Sequence, residues 1–171
     1  MLDADIIQQN EQLYKRLLAD SLRQDKRVSV SFLDARYPEP LYLYVKSVDT
    51  EKTIAVRIDG EDKTMRFWDY VDDAYENEDG VWDQMTEKGL ENFVKKLKKV
   101  MDCALDIEFF NKKGITDDYY AGVYDGELTE EIARKILIKH CKDVKFIYAK
   151  VTNFFGDKSY VFDARGNYIK R

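Results

Sequence analysis

Hydrophobic residues near the start of the chain recur every three to four positions. Ile6, Leu13 and Leu17 follow this helical spacing, and Asp3 and Asp5 stand where negative charge favours a helix N-terminus. The pattern predicts a helix over residues 4–24.

The spacing then changes to every second position, which is typical of half-buried strands. Pro38 and Pro40 interrupt the alternation, because proline cannot sit inside a sheet, and polar turns interrupt it at 49–52 and 59–62. The pattern therefore predicts one helix followed by four short antiparallel strands, at 28–32, 41–48, 53–58 and 63–68.

The second half repeats both patterns. An apolar stripe with lysines between its members predicts a helix over 86–103, and Thr129, followed by Glu130 and Glu131, predicts the N-cap of a helix that ends near residue 143. Alternation predicts the remaining strands at 106–110, 119–124, 146–155, 159–163 and 168–170.

These elements predict an α+β fold in two parts. Residues 1–75 form an N-terminal helix plus a small antiparallel, barrel-like sheet, and residues 76–171 form an α/β unit with two helices and an antiparallel meander. About 15 residues separate the two patterns, and Val71, Trp82 and Met85 are too apolar for a wholly solvated linker. We therefore expect the two parts to share an interface.

The first part resembles a known architecture over residues 10–75. A helix, the strand Lys26 to Phe32, a hairpin and the segment Thr64 to Val71 follow the element order of small Sm-like barrels in bacterial regulators, such as YolD-like proteins and WYL domains. The strand at 53–58 lacks the Trp-Tyr-Leu of a WYL domain. The resemblance implies a barrel that binds a ligand or a nucleic acid.

Composition and charge narrow the class of protein. The 171 residues include two cysteines, which we expect to be free thiols, and neither a signal sequence nor an apolar run of about 20 residues is visible, so we expect a cytoplasmic protein without a membrane span. Residues 1–85 contain 11 Lys and Arg against 19 Asp and Glu, whereas residues 86–171 contain 17 against 14. The acidic half would repel phosphate backbones and attract basic surfaces.

No arrangement for nucleophilic or nucleotide chemistry stands out. His140 and Cys141 are neighbours on a predicted helix and point about 100° apart, so they cannot form a catalytic dyad. The one histidine and two widely spaced cysteines do not make a zinc site, and no glycine pair has the spacing of a phosphate-binding loop. The sequence thus predicts no catalytic residues, no cofactor and no metal.

Two acidic arrangements leave a metal-dependent hydrolase as an alternative. Glu61-Asp62-Lys63 matches a nuclease pattern but falls in a predicted turn. Asp106 and Glu108 would share one strand face with Asp102 nearby, although acids on the wet face of a sheet are commoner than such a site.

The segment from Asp69 to Asp83 is the best candidate for a binding surface. It contains seven acidic and no basic residues, and aromatic residues lie between the acidic ones. Aromatic side chains surrounded by charged residues are typical of the sites that dominate binding energy at protein interfaces. A solvated linker is the equally weighted alternative. The predicted partner-binding residues are Trp68, Asp69, Tyr70, Asp72, Asp73, Tyr75, Glu76, Glu78, Asp79 and Trp82.

This surface predicts a non-catalytic protein that binds a basic macromolecule, in the manner of immunity proteins or phage-encoded inhibitors of nucleases. The first alternative is a regulatory barrel that binds a ligand or nucleic acid through aromatic side chains, although a net acidic half disfavours direct nucleic-acid binding. The second is the metal-dependent hydrolase.

A charge reversal tests the acidic segment. Changing Asp72, Asp73, Glu76 and Glu78 to Lys should slow association with a basic partner, because electrostatic steering is reversed, while the melting temperature stays nearly constant. Association rates at two salt concentrations measure the effect. An unchanged rate would indicate a solvated linker.

Overall fold

A computed structural model describes residues 4–33, 39–70, 80–124, 126–141 and 144–169, and the side chains of 116–123 are not included. By its internal contacts the chain divides into two compact units, Met1–Lys99 and Val100–Arg171. The division falls within a helix. The sequence pattern predicts it at residue 75, which lies outside the residues that the structure describes.

The first unit contains a five-stranded antiparallel sheet in which each strand pairs with the next one along the chain. The fold class is α+β, as predicted. Over the described residues no pairing joins the first strand to the fifth, so the predicted barrel-like closure is not confirmed. The elements of this unit are α1 (Ala4–Leu22), β1 (Val28–Leu33), β2 (Leu41–Ser47), β3 (Thr53–Asp59), β4 (Thr64–Phe67), β5 (Val81–Gln84) and α2 (Glu87–Cys103), which continues past the division.

Strand β5 is a departure from the sequence prediction. Its four residues pair with β4, with Phe67 opposite Val81 and Arg66 opposite Trp82. The sequence pattern missed it because so short a strand among acids shows little alternation. The acidic segment therefore begins just after β4 and ends in β5, which are neighbouring strands of the same sheet.

The core of the first unit lies on one face of this sheet. β2 alternates strictly, with Leu41, Leu43 and Val45 buried and the residues between them half-buried. Phe67 of β4 packs edge-on against Phe93 of α2, with ring centroids 5.6 Å apart. The period-two pattern thus separates a buried inner face from a solvent-facing outer face.

Helix α1 contacts β1, β2 and β3 and comes very close to the turn after β3. Glu11 of α1 is only 3% exposed, and its Oε2 accepts a hydrogen bond of 2.8 Å from the backbone N–H of Gly60. A Cβ at position 60 would lie 2.7 Å from both the Glu11 Cγ and the Ile7 carbonyl oxygen. Only glycine permits this approach of helix to turn.

The second unit contains β6 (Ala104–Phe110), β7 (Thr116–Val123), α3 (Glu130–His140), β8 (Tyr148–Asn153) and β9 (Ser159–Asp163). Its four strands form an antiparallel sheet in the order β7-β6-β8-β9. Helix α3 begins after Thr129, whose Oγ1 accepts from the N–H of Ile132, which confirms the predicted N-cap. Leu137 and Ala133 of α3 belong to the same buried cluster as Ile107 of β6.

Tyr124 closes one end of this second core. Burial raises the pKa of Tyr124 to about 12, so its hydroxyl stays protonated and donates a hydrogen bond of 3.2 Å to the Asp102 carbonyl. Cys103 and Cys141 are not joined in a disulfide bond. Among the described residues, no helix has the length and apolar content that crossing a bilayer requires.

Glu11 makes the stability of the first unit depend on pH. Burial raises the pKa of Glu11 above its ordinary value, although the Gly60 hydrogen bond opposes the rise. A carboxyl with a raised folded-state pKa favours folding when it is protonated, so its contribution is largest below the unfolded value of about 4.5 and is lost as the pH rises through the folded value. In urea unfolding, the stability of the wild type relative to Glu11→Gln should therefore increase as the pH falls from 7 to 4.5. Parallel pH profiles would contradict this account.

Candidate functional site

The outer face of the first sheet carries a row of side chains that crosses all five strands. The register places Leu33 opposite Tyr42, Tyr42 opposite Arg57, Arg57 opposite Arg66 and Arg66 opposite Trp82. We call these five residues the outer row. It consists of two arginines flanked on each side by aromatic or aliphatic groups.

Two tryptophans dominate the end of the outer row at β4 and β5. Trp68 is 40% exposed and Trp82 is 43% exposed, which is unusual for side chains of this size. The Arg66 guanidinium carbon lies 5.9 Å from the centroid of each indole. One cation is thus shared between two aromatic rings, and the contact restrains all three side chains.

Gly80 brings the chain close to the first tryptophan. It has a positive φ of 76°, and a Cβ at this position would lie 2.8 Å from the Trp68 Cδ1 atom and 2.6 Å from the Phe67 carbonyl oxygen. Both the Arg66 guanidinium and the backbone that leads into β5 therefore lie close to the Trp68 indole.

Asp69 has a structural role that the sequence did not indicate. β4 ends at Phe67, so the N–H of Ala55 in β3 lacks a partner on that strand, and the Asp69 carboxylate accepts from it at 2.8 Å. The next residue, Tyr70, has a positive φ of 66°. These two predicted partner-binding residues thus lie in the tight exit from β4.

The other predicted partner-binding residues cannot be placed. They belong to 71–79, which lie outside the described residues: Asp72, Asp73, Tyr75, Glu76, Glu78 and Asp79. Trp68, Asp69, Tyr70 and Trp82 are described, and of these the register brings Trp82 beside Arg66.

Four members of the outer row, Leu33, Tyr42, Arg57 and Arg66, are absent from the predicted partner-binding residues. Their alternation with buried residues contains the signal, but their alignment depends on the strand register. Tyr42 also stacks on Tyr44, with centroids 6.5 Å apart, and so extends the aromatic area along β2.

Arg57 lies at the centre of the outer row, and only some of its guanidinium nitrogens have an acceptor. One terminal nitrogen lies 3.2 Å from the Asp59 Oδ2 atom, whereas its Nε is buried and has no hydrogen-bond partner among the described residues. A directly opposed pair of arginines is unfavourable without compensating negative charge. The Asp59 carboxylate supplies negative charge of this kind at the middle of the row.

The charge of the first unit is negative despite these arginines. Residues 1–99 contain 16 Lys and Arg against 21 Asp and Glu, whereas residues 100–171 contain 12 of each. Some of the acids are engaged locally: Asp83 lies 3.0 Å from the Lys96 Nζ atom, and Asp59 accepts from the N–H groups of Glu61 and Asp62. The last two contacts place Glu61-Asp62-Lys63 in a turn, as predicted.

The hydrolase alternative gains no geometric support. Within the described ranges, no group of three or more His, Cys, Asp or Glu side chains is arranged to hold a metal ion, and Asp102, Asp106 and Glu108 all lie within these ranges. Asp106 is buried at 1% exposure in the central strand β6, and Asp102 is exposed at the end of α2.

Comparison of the chain with protein-family models, curated proteins and solved structures finds no match. Function is therefore inferred from the geometry of the outer row and its surroundings.

Replacing Asp69 tests its assignment to the exit from β4. Asp69→Ala should lower the free energy of unfolding by about 1 kcal/mol, because the Ala55 N–H exchanges a charged acceptor for water. Asp69→Asn should retain most of the stability, since an amide oxygen can accept the same bond. Urea unfolding measures both, with Asp49→Ala in the exposed turn before β3 as the control. A loss no larger than that of the control would show that the bond contributes nothing.

Proposed function

We propose that this chain is a non-catalytic binding protein that engages a basic protein partner through the end of the first sheet at β4 and β5. The observation that carries the proposal is the pair of tryptophans, Trp68 and Trp82, exposed to about the same extent around Arg66. We call these three residues the tryptophan clamp.

The chemistry of the tryptophan clamp favours a protein partner. Tryptophan and arginine are the residue types most enriched among those that dominate binding energy at interfaces. Trp82 lies in β5 and Trp68 follows β4 directly, and these two strands are paired, so the backbone of both tryptophans is positioned before binding. Exposed indoles without a binding role would only add a tendency to aggregate.

The charge around the tryptophan clamp favours a basic partner. The first unit is net negative by five charges, and the acidic segment begins at Asp69 directly after Trp68. Negative charge around an aromatic centre accelerates association with a basic surface and disfavours acidic competitors. These properties support an inhibitor or immunity-type protein whose target is a basic enzyme, such as a nuclease.

A specific observation also favours the alternative of a barrel-related nucleic-acid binder. The outer row combines Tyr42 and Trp82 with two arginines on an exposed sheet face, which is the chemistry that stacks single-stranded bases and contacts phosphates. The net negative charge of the unit opposes this function, because phosphate contacts supply most nucleic-acid affinity. We therefore rank it second.

Truncation of the tryptophan clamp tests the main proposal. The full chain, bound to a resin, should retain a basic protein from native lysate, and the retained protein is then purified and titrated against variants. Trp68→Ala and Trp82→Ala should each weaken its binding by about 2 kcal/mol, roughly 30-fold, since interface tryptophans contribute on this scale. Their melting temperatures should fall only slightly, because both side chains are partly exposed. Ile138→Ala, which removes an exposed apolar side chain of α3, is the matched control.

Two outcomes would overturn the proposal. The first is equal affinity of the wild type and both tryptophan variants for every retained protein. The second is binding of a 12-nucleotide oligo(dT) that falls with salt and with Arg66→Gln, in the absence of any basic protein partner. The second outcome would establish the nucleic-acid alternative.

A further inference from the structure

The second unit contains a cavity that is separate in chemistry from the tryptophan clamp. Its volume is about 420 Å³, which lies within the usual range of small-molecule sites. We call it the β8–β9 cavity. Its lining residues are Phe110, Tyr148, Lys150, Ser159, Val161, Tyr168 and Ile169.

The register of the second sheet explains why these side chains converge. Phe110 of β6 lies opposite Tyr148 of β8, and Lys150 lies opposite Val161 of β9. Positions two apart on one strand share a face, so Tyr148 and Lys150 project to the same side. This side is opposite to the one on which Ile107 and Val151 join the buried cluster with α3.

The end of the chain supplies another wall. Tyr168 forms an isolated bridge with Phe162, and the N–H of Ile169 donates a hydrogen bond of 2.7 Å to the Val161 carbonyl. These contacts extend the edge of β9 and place Tyr168 and Ile169 beside the cavity.

Phe110 and Tyr148 form the aromatic wall of the cavity by stacking face to face on each other. The rings of Phe110 and Tyr148 are 4.7 Å apart and inclined by only 10°, and both side chains are half-buried. Val161 and Ile169 add aliphatic surface. A planar apolar group could lie against these side chains with little reorganisation of the protein.

The charged group of the cavity is Lys150. Its ammonium group forms no ion pair with an acid in the part of the chain that the structure describes, although Glu108 lies directly opposite in the register. The other polar lining group at this end is the Ser159 hydroxyl, which lies 3.4 Å from the Thr152 hydroxyl. The cavity thus combines an apolar aromatic wall with a cation that an anionic ligand could pair.

We propose that the β8–β9 cavity binds a small planar aromatic carboxylate, with its ring along Phe110 and Tyr148 and its carboxylate toward Lys150. The aromatic ring of the ligand can pack against the exposed part of the stacked pair, and its carboxylate is opposite in charge to the ammonium group. The proposal concerns the second unit and stands independently of the proposed protein partner.

Naphthalene-2-carboxylate is a suitable probe, and naphthalene-2-carboxamide is its neutral control. Titration of the full chain, followed by amide NMR, should give saturable shifts at Lys150 and Val161. The carboxylate should bind about fivefold to tenfold more tightly than the amide, because one charge-assisted contact distinguishes the two probes. Lys150→Gln should remove this preference, and Lys135→Gln, at an exposed lysine of α3, should retain it.

Tyr148→Leu tests the aromatic wall separately and should weaken both probes alike. Equal affinity for carboxylate and amide in the wild type, or shifts that do not saturate by about 10 mM, would overturn the proposal. A carboxylate preference that survives Lys150→Gln would also overturn it. Since Lys150 is exposed, its replacement should not impair folding.

Discussion

The register of β3, β4 and β5 is the constraint on which the first unit depends. It points Phe67 of β4 inward to Phe93 of α2 and points Arg66 outward between two tryptophans. Because side chains alternate with a period of two, a shift of one residue would expose Phe67 and bury Arg66. The same strand pairing thus determines the core and the candidate binding surface. The free-energy cost of burying an arginine disfavours the shifted register.

Acidic residues in this chain serve structure as well as charge. Glu11 joins α1 to the turn after β3, Asp69 completes the end of β4, and Asp83 pairs with Lys96 of α2. Asp163 also has a structural role, in a turn of the second unit. Backbone N–H groups of this turn donate hydrogen bonds to its carboxylate and hold the pKa of the carboxyl below its usual value. An acidic composition therefore does not translate directly into an acidic binding surface.

Local patterns sufficed for most elements of the fold. The period of the apolar residues predicted all three described helices and eight of the nine described strands, because each of these is long enough to show its period or is bounded by clear turn residues. β5 has only four residues, and its large apolar residue Trp82 faces solvent, so the sequence of β5 shows no clear alternation of apolar inner and polar outer positions. The order β7-β6-β8-β9 was also beyond the sequence, since the pairing of β6 with β8 spans a helix and depends on packing.

The candidate site shows the same division between local and non-local information. Trp68 and Trp82 could be singled out by residue type and by their position at the two ends of the acidic segment. Arg57, Arg66 and Tyr42 could not, because nothing in their local sequence indicates that they align across the strands. Asp69 was chosen for its charge, yet its partner is a backbone N–H 14 residues away.

The restraint of the two tryptophans bears on how the surface can bind. Arg66 contacts both indoles, Gly80 closes on one of them, and Asp69 fixes the backbone directly after Trp68. Side chains that are already ordered lose little conformational entropy when a partner arrives, so more of the contact energy appears as affinity. In the proposed interface, Asp69 would contribute mainly by positioning the aromatic anchor, and its charge would matter less. Steering by charge and anchoring by rigid aromatic groups would then be separate functions of neighbouring residues.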